Sequence, residues 1–146
     1  MSGSITAANA VLMLTIPGVY PTPQQLQQFA ADDVYNIPRI KSVETRMGVD
    51  GVLSGGFVFV EIEQEIMLQA NSPSNTIFDT WWTSMQQAQD VFNASGAIKL
   101  LGIQTKFTMN NGFLTGYSPA PTAKKILEPR TFAITWNTIV PSPATQ

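Results

Sequence analysis

The sequence predicts a mainly β protein: a β-sandwich or partly closed antiparallel barrel with one flanking α-helix over about residues 73–93. Three observations lead there. Apolar residues alternate with period two in several separated runs. Only one window, near its middle, changes to helical spacing. The order is therefore strands, one helix, strands, with Gly, Pro and Asn clusters between them, the pattern of a sheet carrying a single helix. At 146 residues the chain reads as a single domain, residues 1–146, a size that buries roughly two-thirds of the unfolded surface.

Residues 5–16 form the first expected strand. Ala8, Ala10, Leu12, Leu14 and Ile16 share one face, and Asn9, Val11, Met13 and Thr15 the other. Both faces are partly apolar, so neighbours should cover each of them. Pro17-Gly18 and Pro21-Thr22-Pro23 then break regular structure. Residues 24–37 read as an ordered loop limited by Pro38, and residues 41–47 as a short strand. Gly48-Val49-Asp50-Gly51 is a turn, and Ser54-Gly55-Gly56 a second flexible point.

Residues 57–70 read as the longest strand. Val58, Val60, Ile62, Ile66 and Leu68 share a face that Gln64 interrupts, and the length invites a bulge. The other face carries Phe57, Phe59, Glu61, Glu63, Glu65, Met67 and Gln69. The helix follows, with Ser72 as its cap and Pro73 in the first helical position. Ile77, Phe78, Trp81, Trp82 and Met85 form its apolar stripe, continued by Ala88 and Phe92, and Gly96 is the expected stop. Aromatics at this spacing are core far more often than a ligand cage, so the stripe is expected to pack on a sheet.

Strands return at residues 97–103 and 105–109, and Asn110-Asn111-Gly112 signals a hairpin into residues 113–117. A Pro-punctuated connection, residues 119–129, carries Lys124 and Lys125. The last strand, residues 131–139, turns Phe132, Ile134 and Trp136 inward and Thr131, Thr135 and Asn137 outward. The tail, residues 141–146, is expected to be loose or docked on a neighbour.

Composition removes much chemistry. The chain has neither Cys nor His, which excludes disulfides, thiolate metal sites and the commonest metal ligand and general base. A net charge of −2 provides no basic footprint for wrapping nucleic acid. No apolar run approaches the roughly 18 residues of a membrane span. There is no nucleophile elbow, phosphate loop or dinucleotide fingerprint. Asp32-Asp33 beside Tyr35 has the oxygen chemistry for a hard cation, but adjacent loop acids more often form turns or caps. No catalytic residue, metal or cofactor is assigned.

Charged residues make up 12% of the chain, about half the usual share. Residues 1–31, 107–123 and 131–146 carry none. Such stretches make poor solvated surfaces and suit contact with other subunits. Val11 and Met13 in the first strand, with Val49, Asp50, Val52 and Leu53 in the glycine-rich turn region, are the expected contacts between subunits or rings. The start lacks the basic segment of a signal peptide, which points to synthesis in the cytoplasm of the producing cell. Glu61, Glu63 and Glu65 alternate, which puts three carboxylates on one face roughly 7 Å apart from one to the next. They repel one another and favour a wet face.

The run from Ala31 to Trp82 contains Met47-Gly48-Val49-Asp50-Gly51 and, before the helix, Asn71-Ser72-Pro73-Ser74. Lys124-Lys125 then precedes a last strand ending in Ile134-Thr135-Trp136. In order and spacing these pieces resemble the tail tube proteins of contractile-tailed bacteriophages, over most of the chain. The resemblance implies a tube-like β-sandwich subunit that forms hexameric rings. It also implies that the inner sheets join into one barrel, that the rings stack into a tube, and that DNA passes transiently through it. Sheath and baseplate proteins would be the other partners, the virion tail its location, with no membrane insertion and no catalytic residues. In such a ring Glu61, Glu63 and Glu65 are expected to line the lumen, the outer sheet being the competing placement. Two alternatives stand beside this reading: another tail or baseplate protein with the tube fold, and a ligand- or carbohydrate-binding β-sandwich using Trp81, Trp82 and Trp136.

Overall fold

The computed structural model describes residues 10–30 and 34–143. Residues 5–9 of the first expected strand, Asp32 and Asp33, and residues 144–146 of the tail lie outside the described residues. The strands are β1 (Ala10–Ile16), β2 (Tyr20–Gln25), β3 (Tyr35–Asn36), β4 (Val43–Met47), β5 (Leu53–Phe57), β6 (Ile62–Leu68), β7 (Ala94–Leu100), β8 (Thr105–Gly116) and β9 (Arg130–Pro143). One helix, α1 (Asn75–Ala88), lies between β6 and β7. Seven strands form an antiparallel sheet in the order β2-β1-β7-β8-β9-β6-β3, and β4 pairs with β5 alone.

The long sheet curls, and the segment after β2 spans from one side of it to the other. Past β2 the chain stays against β1 through Leu26 N–H to Leu12 O, 2.9 Å, and then crosses to β6. There Phe29 bridges Leu68, and Ala30 N–H donates to Met67 O at 3.0 Å. The result is a partly closed barrel, mainly β with one flanking helix. Leu12, Leu14 and Ile16 of β1 face the same interior as Ile62 and Ile66 of β6 and Ile134 of β9.

Trp136 fills the interior. It is 1% exposed, and its indole N–H donates to Gln64 Oε1 at 3.0 Å. Gln64, the polar residue on an otherwise apolar face, is thus the acceptor that a buried indole requires. The β6–β9 register runs unbroken from Ile62↔Trp136 to Leu68↔Arg130, so β6 needs no bulge to hold it. Room for the ring comes from two glycines. A Cβ at Gly96 would lie 2.9 Å from the indole, and one at Gly112 would land on it.

Gly112 belongs to a bulge, where a hairpin was expected. Asn111 adopts φ 53°, a conformation asparagine tolerates better than most residues. The β7–β8 register slips by one residue between Ala94↔Gly112 and Gly96↔Met109. The extra residue bends β8, which runs on as a single strand, and brings Gly112 under Trp136. The true β7–β8 turn is residues 101–104. Gly96 is accordingly a strand residue and not a helix stop.

Other expectations shift for local reasons. Pro21 and Pro23 lie inside β2, which a sheet edge tolerates, where the β1–β2 register also slips. The expected long strand divides: Phe57 ends β5, residues 58–61 are irregular, and β6 starts at Ile62. Ser54-Gly55-Gly56 is part of β5 and not a loose point. Residues 141–143 of the tail extend β9 and pair with β8.

The helix is shorter than expected at both ends. Ser72 does not cap it. Its hydroxyl donates to Gln27 O, while Ser74 Oγ accepts Gln27 N–H at 2.8 Å. The two serines therefore bind the crossing segment to the helix start. At the other end Gln89 turns left-handed (φ 52°) and closes the last turn on Met85 O. Phe92 folds back, its carbonyl accepting the Trp81 indole N–H at 2.8 Å.

Ile77, Phe78 and Trp81 are buried, and Phe78 stacks on Phe132 of β9 with centroids 4.3 Å apart. Met85 packs at the margin. Trp82 departs from the expected core. It is 37% exposed and stacks at 4.9 Å on Tyr117, on the outer flank of the helix.

A polar clamp fixes the helix to β9. Arg130 donates to Asp79 Oδ1 at 2.7 Å, to Asp79 Oδ2 at 3.2 Å and to Ser118 O at 2.7 Å. Tyr117 O–H donates to Asp79 at 2.5 Å. Partial burial pushes the Asp79 carboxyl up, but hydrogen bonds from Arg130 and Tyr117 and the Arg130 charge outweigh it and hold the group below its ordinary value. Because the folded value is the lower one, the clamp contributes fully above the unfolded aspartate range and fades as pH falls through the folded value.

Trp81→Ala is expected to cost about 3–5 kcal/mol, as for other buried aromatics. Trp82→Ala should cost only about 1–2 kcal/mol, the scale of a half-exposed stacked pair. Urea unfolding of both variants checks this, and equal losses would place Trp82 in the core. Asp79→Asn is expected to cost about 1–3 kcal/mol, below the range for a fully buried pair because the Asp79 side chain is 42% exposed. That loss should be present at pH 7 and vanish in strong acid. A pH-independent loss would remove the charge from the explanation.

Candidate functional site

The β4–β5 hairpin stands away from the barrel. Every residue of both strands is exposed. The pairs run Val43↔Phe57, Glu44↔Gly56, Thr45↔Gly55, Arg46↔Ser54 and Met47↔Leu53. Directly opposed residues share a face. One face therefore carries Val43, Phe57, Met47 and Leu53 around Thr45, and the other Glu44, Arg46 and Ser54. The apolar residues are 44%, 69%, 62% and 60% exposed, respectively. At the base Phe59 is 95% exposed and meets Phe57 edge-on, centroids 5.0 Å apart. A lone two-stranded hairpin is marginal in water, and an apolar face of this kind marks a surface to be covered.

The tip is nonetheless built. Gly48 N–H donates to Val52 O at 2.9 Å, and Gly51 N–H to Gly48 O at 3.0 Å. Asp50 Oδ1 accepts Val52 N–H at 3.1 Å. Gly51 holds φ 84°, a conformation that favours glycine. Val49 points fully into solvent and Val52 is 59% exposed. The four expected contact residues Val49, Asp50, Val52 and Leu53 thus come together at one tip. Val11 and Met13 are elsewhere, half-buried on the outer face of β1 opposite Lys99 and Ala97 of β7.

Glu63 and Glu65 lie on the outer face of β6, opposite Thr135 and Ala133 of β9. Glu61 is exposed in the irregular stretch just before that strand, so only two of the three carboxylates are strand residues. Thr135 and Thr115 share a hydroxyl hydrogen bond of 2.9 Å on β9 and β8. The same sheet also carries Lys99 and Lys106, which oppose each other across β7 and β8. Lys106 pairs with Ser142, seven residues along β9 from the partner of Glu63, or about 23 Å at the usual strand rise. The acidic and basic ends of the sheet are therefore well separated.

Among the described residues no three His, Cys, Asp or Glu side chains gather as a metal site. No helix among them is long and apolar enough to cross a membrane. Sequence reasoning does not single out Met47, Phe57 and Phe59 as exposed apolar side chains of one hairpin. Their signal was present in Phe57-Val58-Phe59-Val60, but alternation there reads equally well as the start of one long buried strand.

A family model described as tail fiber protein gp32 matches residues 3–140. The chain belongs to that family. No sequence among the curated proteins matches it. Solved structures extend the likeness to the fold. A chain of the anti-feeding prophage (AFP) tube-terminating cap aligns with TM-score 0.63 and 10% identity, over 99% of this chain and 94% of that one. A chain of the AFP baseplate gives 0.58 and 14% over all of both chains. A chain of the PVC sheath–tube complex, from an extracellular contractile injection system, gives 0.59 and 12% over 97% and 93%. At such identity the likeness is one of fold: this chain has the tail-tube and contractile-injection-system type of fold.

Proposed function

We propose that the chain is a self-assembling structural subunit of a phage tail, its copies forming hexameric rings that stack into a tube through which DNA passes. The observation that carries this reading is the arm, a hairpin with an ordered tip and an apolar face exposed throughout. A hydrophobic surface of that shape is stabilised by a neighbour and is a liability without one. The tube-type fold and the tail family support the same reading, with residues 1–146 acting as one unit. Sheath and baseplate proteins are its further partners, the virion tail its place, and no residue serves catalysis. Val11 and Met13 add a second contact face on β1.

The family description favours one other reading, a tail component that keeps the fold but does not form the tube. Under it the purified protein would stop at a single ring or small oligomer. The carbohydrate-binding alternative has lost its platform: Trp81 and Trp136 are buried, and one face of Trp82 is taken by Tyr117.

Negative-stain imaging of the purified protein tests the proposal. Stacked rings are expected, and a stable 15.9 kDa monomer at high concentration would overturn it. Deleting residues 49–54 should leave a subunit that unfolds cooperatively but no longer stacks. Normal tubes from that deletion would exclude the arm tip from assembly.

In this arrangement Glu61, Glu63 and Glu65 face the lumen. DNA carries about one negative charge per 1.7 Å of helix axis, and a basic wall would bind it by releasing counterions. A repelling wall gives no such sticking points. Changing all three to lysine should leave tubes that retain DNA and release it as salt rises. Unchanged DNA passage with loss of sheath attachment would put the row on the outer surface instead.

A further inference from the structure

A cleft of about 590 Å³ lies between the β6–α1 turn and the connection that leads into β9. Its wall includes Ala70, Lys124, Lys125, Ile126, Leu127 and Glu128. Nothing about it is loose. Ala123 bridges Leu127, and Glu128 N–H donates to Thr122 O at 2.9 Å, so the loop is closed on itself. Yet its apolar side chains are turned out: Ile126 is 80% exposed and Leu127 55%. Lys124 is paired with Glu128 at 3.5 Å, whereas Lys125 has no ion-pair partner among the described residues.

The arm tip has the complementary set. Val49, Val52 and Leu53 are exposed around Asp50, whose carboxylate accepts a backbone N–H and has no ion-pair partner among the described residues. No residue of the arm lines the cleft of its own chain. We infer that the arm tip of one copy docks in the Lys124–Glu128 cleft of a second copy, with Asp50 meeting Lys125 and Val49 and Val52 covering Ile126 and Leu127. Tip and loop each carry hydrogen bonds of their own, which limit the conformational entropy lost on docking.

The consequence is a head-to-tail contact. Tip and cleft are different surfaces, so a docked pair still has one free tip and one free cleft. Such a heterologous interface propagates into rings or stacks, whereas an isologous one ends at a dimer. The inference rests on the self-assembly reading and names the receptor for its arm.

The chain has no cysteine, so single-cysteine variants report contacts without background. Val49→Cys and Ile126→Cys both fall on exposed side chains and should fold normally. The two proteins are mixed under assembly conditions and treated with a short bis-maleimide. A cross-linked heterodimer is expected on a denaturing gel, and a mixture of Val49→Cys with Thr138→Cys should give none. Asp50→Lys should abolish the cross-link, and adding Lys125→Glu to the Ile126→Cys partner should restore it.

Imaging the same samples separates this contact from the wider reading. Cross-linking with rings supports both, and cross-linking without rings supports the contact while overturning the rings. Rings without the cross-link overturn the contact alone, and a sample showing neither overturns both.

Discussion

The barrel is organised around the need to bury one indole and satisfy its N–H. Trp136 lies at the centre, and its donor has one acceptor, Gln64 of the neighbouring strand. Satisfying it fixes the β6–β9 register, because a slip of one residue would turn Gln64 outward and bring Glu63 or Glu65 into the interior. The ring's bulk dictates the other side of the barrel. Neither Gly96 nor Gly112 has space for a methyl group beneath it, and the bulge at Asn111 is what delivers Gly112 to that position. Two glycines, a bulge and a buried glutamine, separate features in the sequence, serve a single side chain.

The chain divides its charges by purpose. Within the body, Arg130 is nearly buried and its two Nη groups donate to Asp79 and Ser118, so its ionic contact is internal and structural. The arm has the opposite economy, with charged groups on one face, mostly apolar ones on the other, and every strand residue exposed. A fold whose body is self-sufficient and whose projection is not has a surface plan for association. The tube-type architecture and the tail family are consistent with that plan.

Alternation was enough to locate β1, β6 and β9, because each has one face in the core and a period of two survives any tertiary arrangement. The helix was equally legible in its middle, at Ile77, Phe78 and Trp81. Its ends were not, since Ser72 and Ser74 had a stronger use for their hydroxyls at Gln27, 45 and 47 residues away. Trp82 was misplaced for a geometric reason: two adjacent tryptophans point about 100° apart on a helix, and only one can face the sheet. Asn110-Asn111-Gly112 carries the chemistry of a left-handed residue, which a turn and a bulge use alike. Glycine content picked out the turn at the tip, where Val49, Val52 and Leu53 are exposed together. The apolar face of the arm was hidden because its strand runs into β6 with the same alternation, and only pairing partners distinguish the two.

The arm's connectivity has a mechanical consequence. Both of its strands run without a break from the barrel to the tip, one leaving the body before β4 and the other returning after β5. If the tip is held by a neighbour and the two bodies are pulled apart, tension passes lengthwise along two covalent backbones in parallel. The ladder hydrogen bonds between Val43–Met47 and Leu53–Phe57 lie across that load and do not have to carry it. An arm of this design yields where it is docked before it yields within itself.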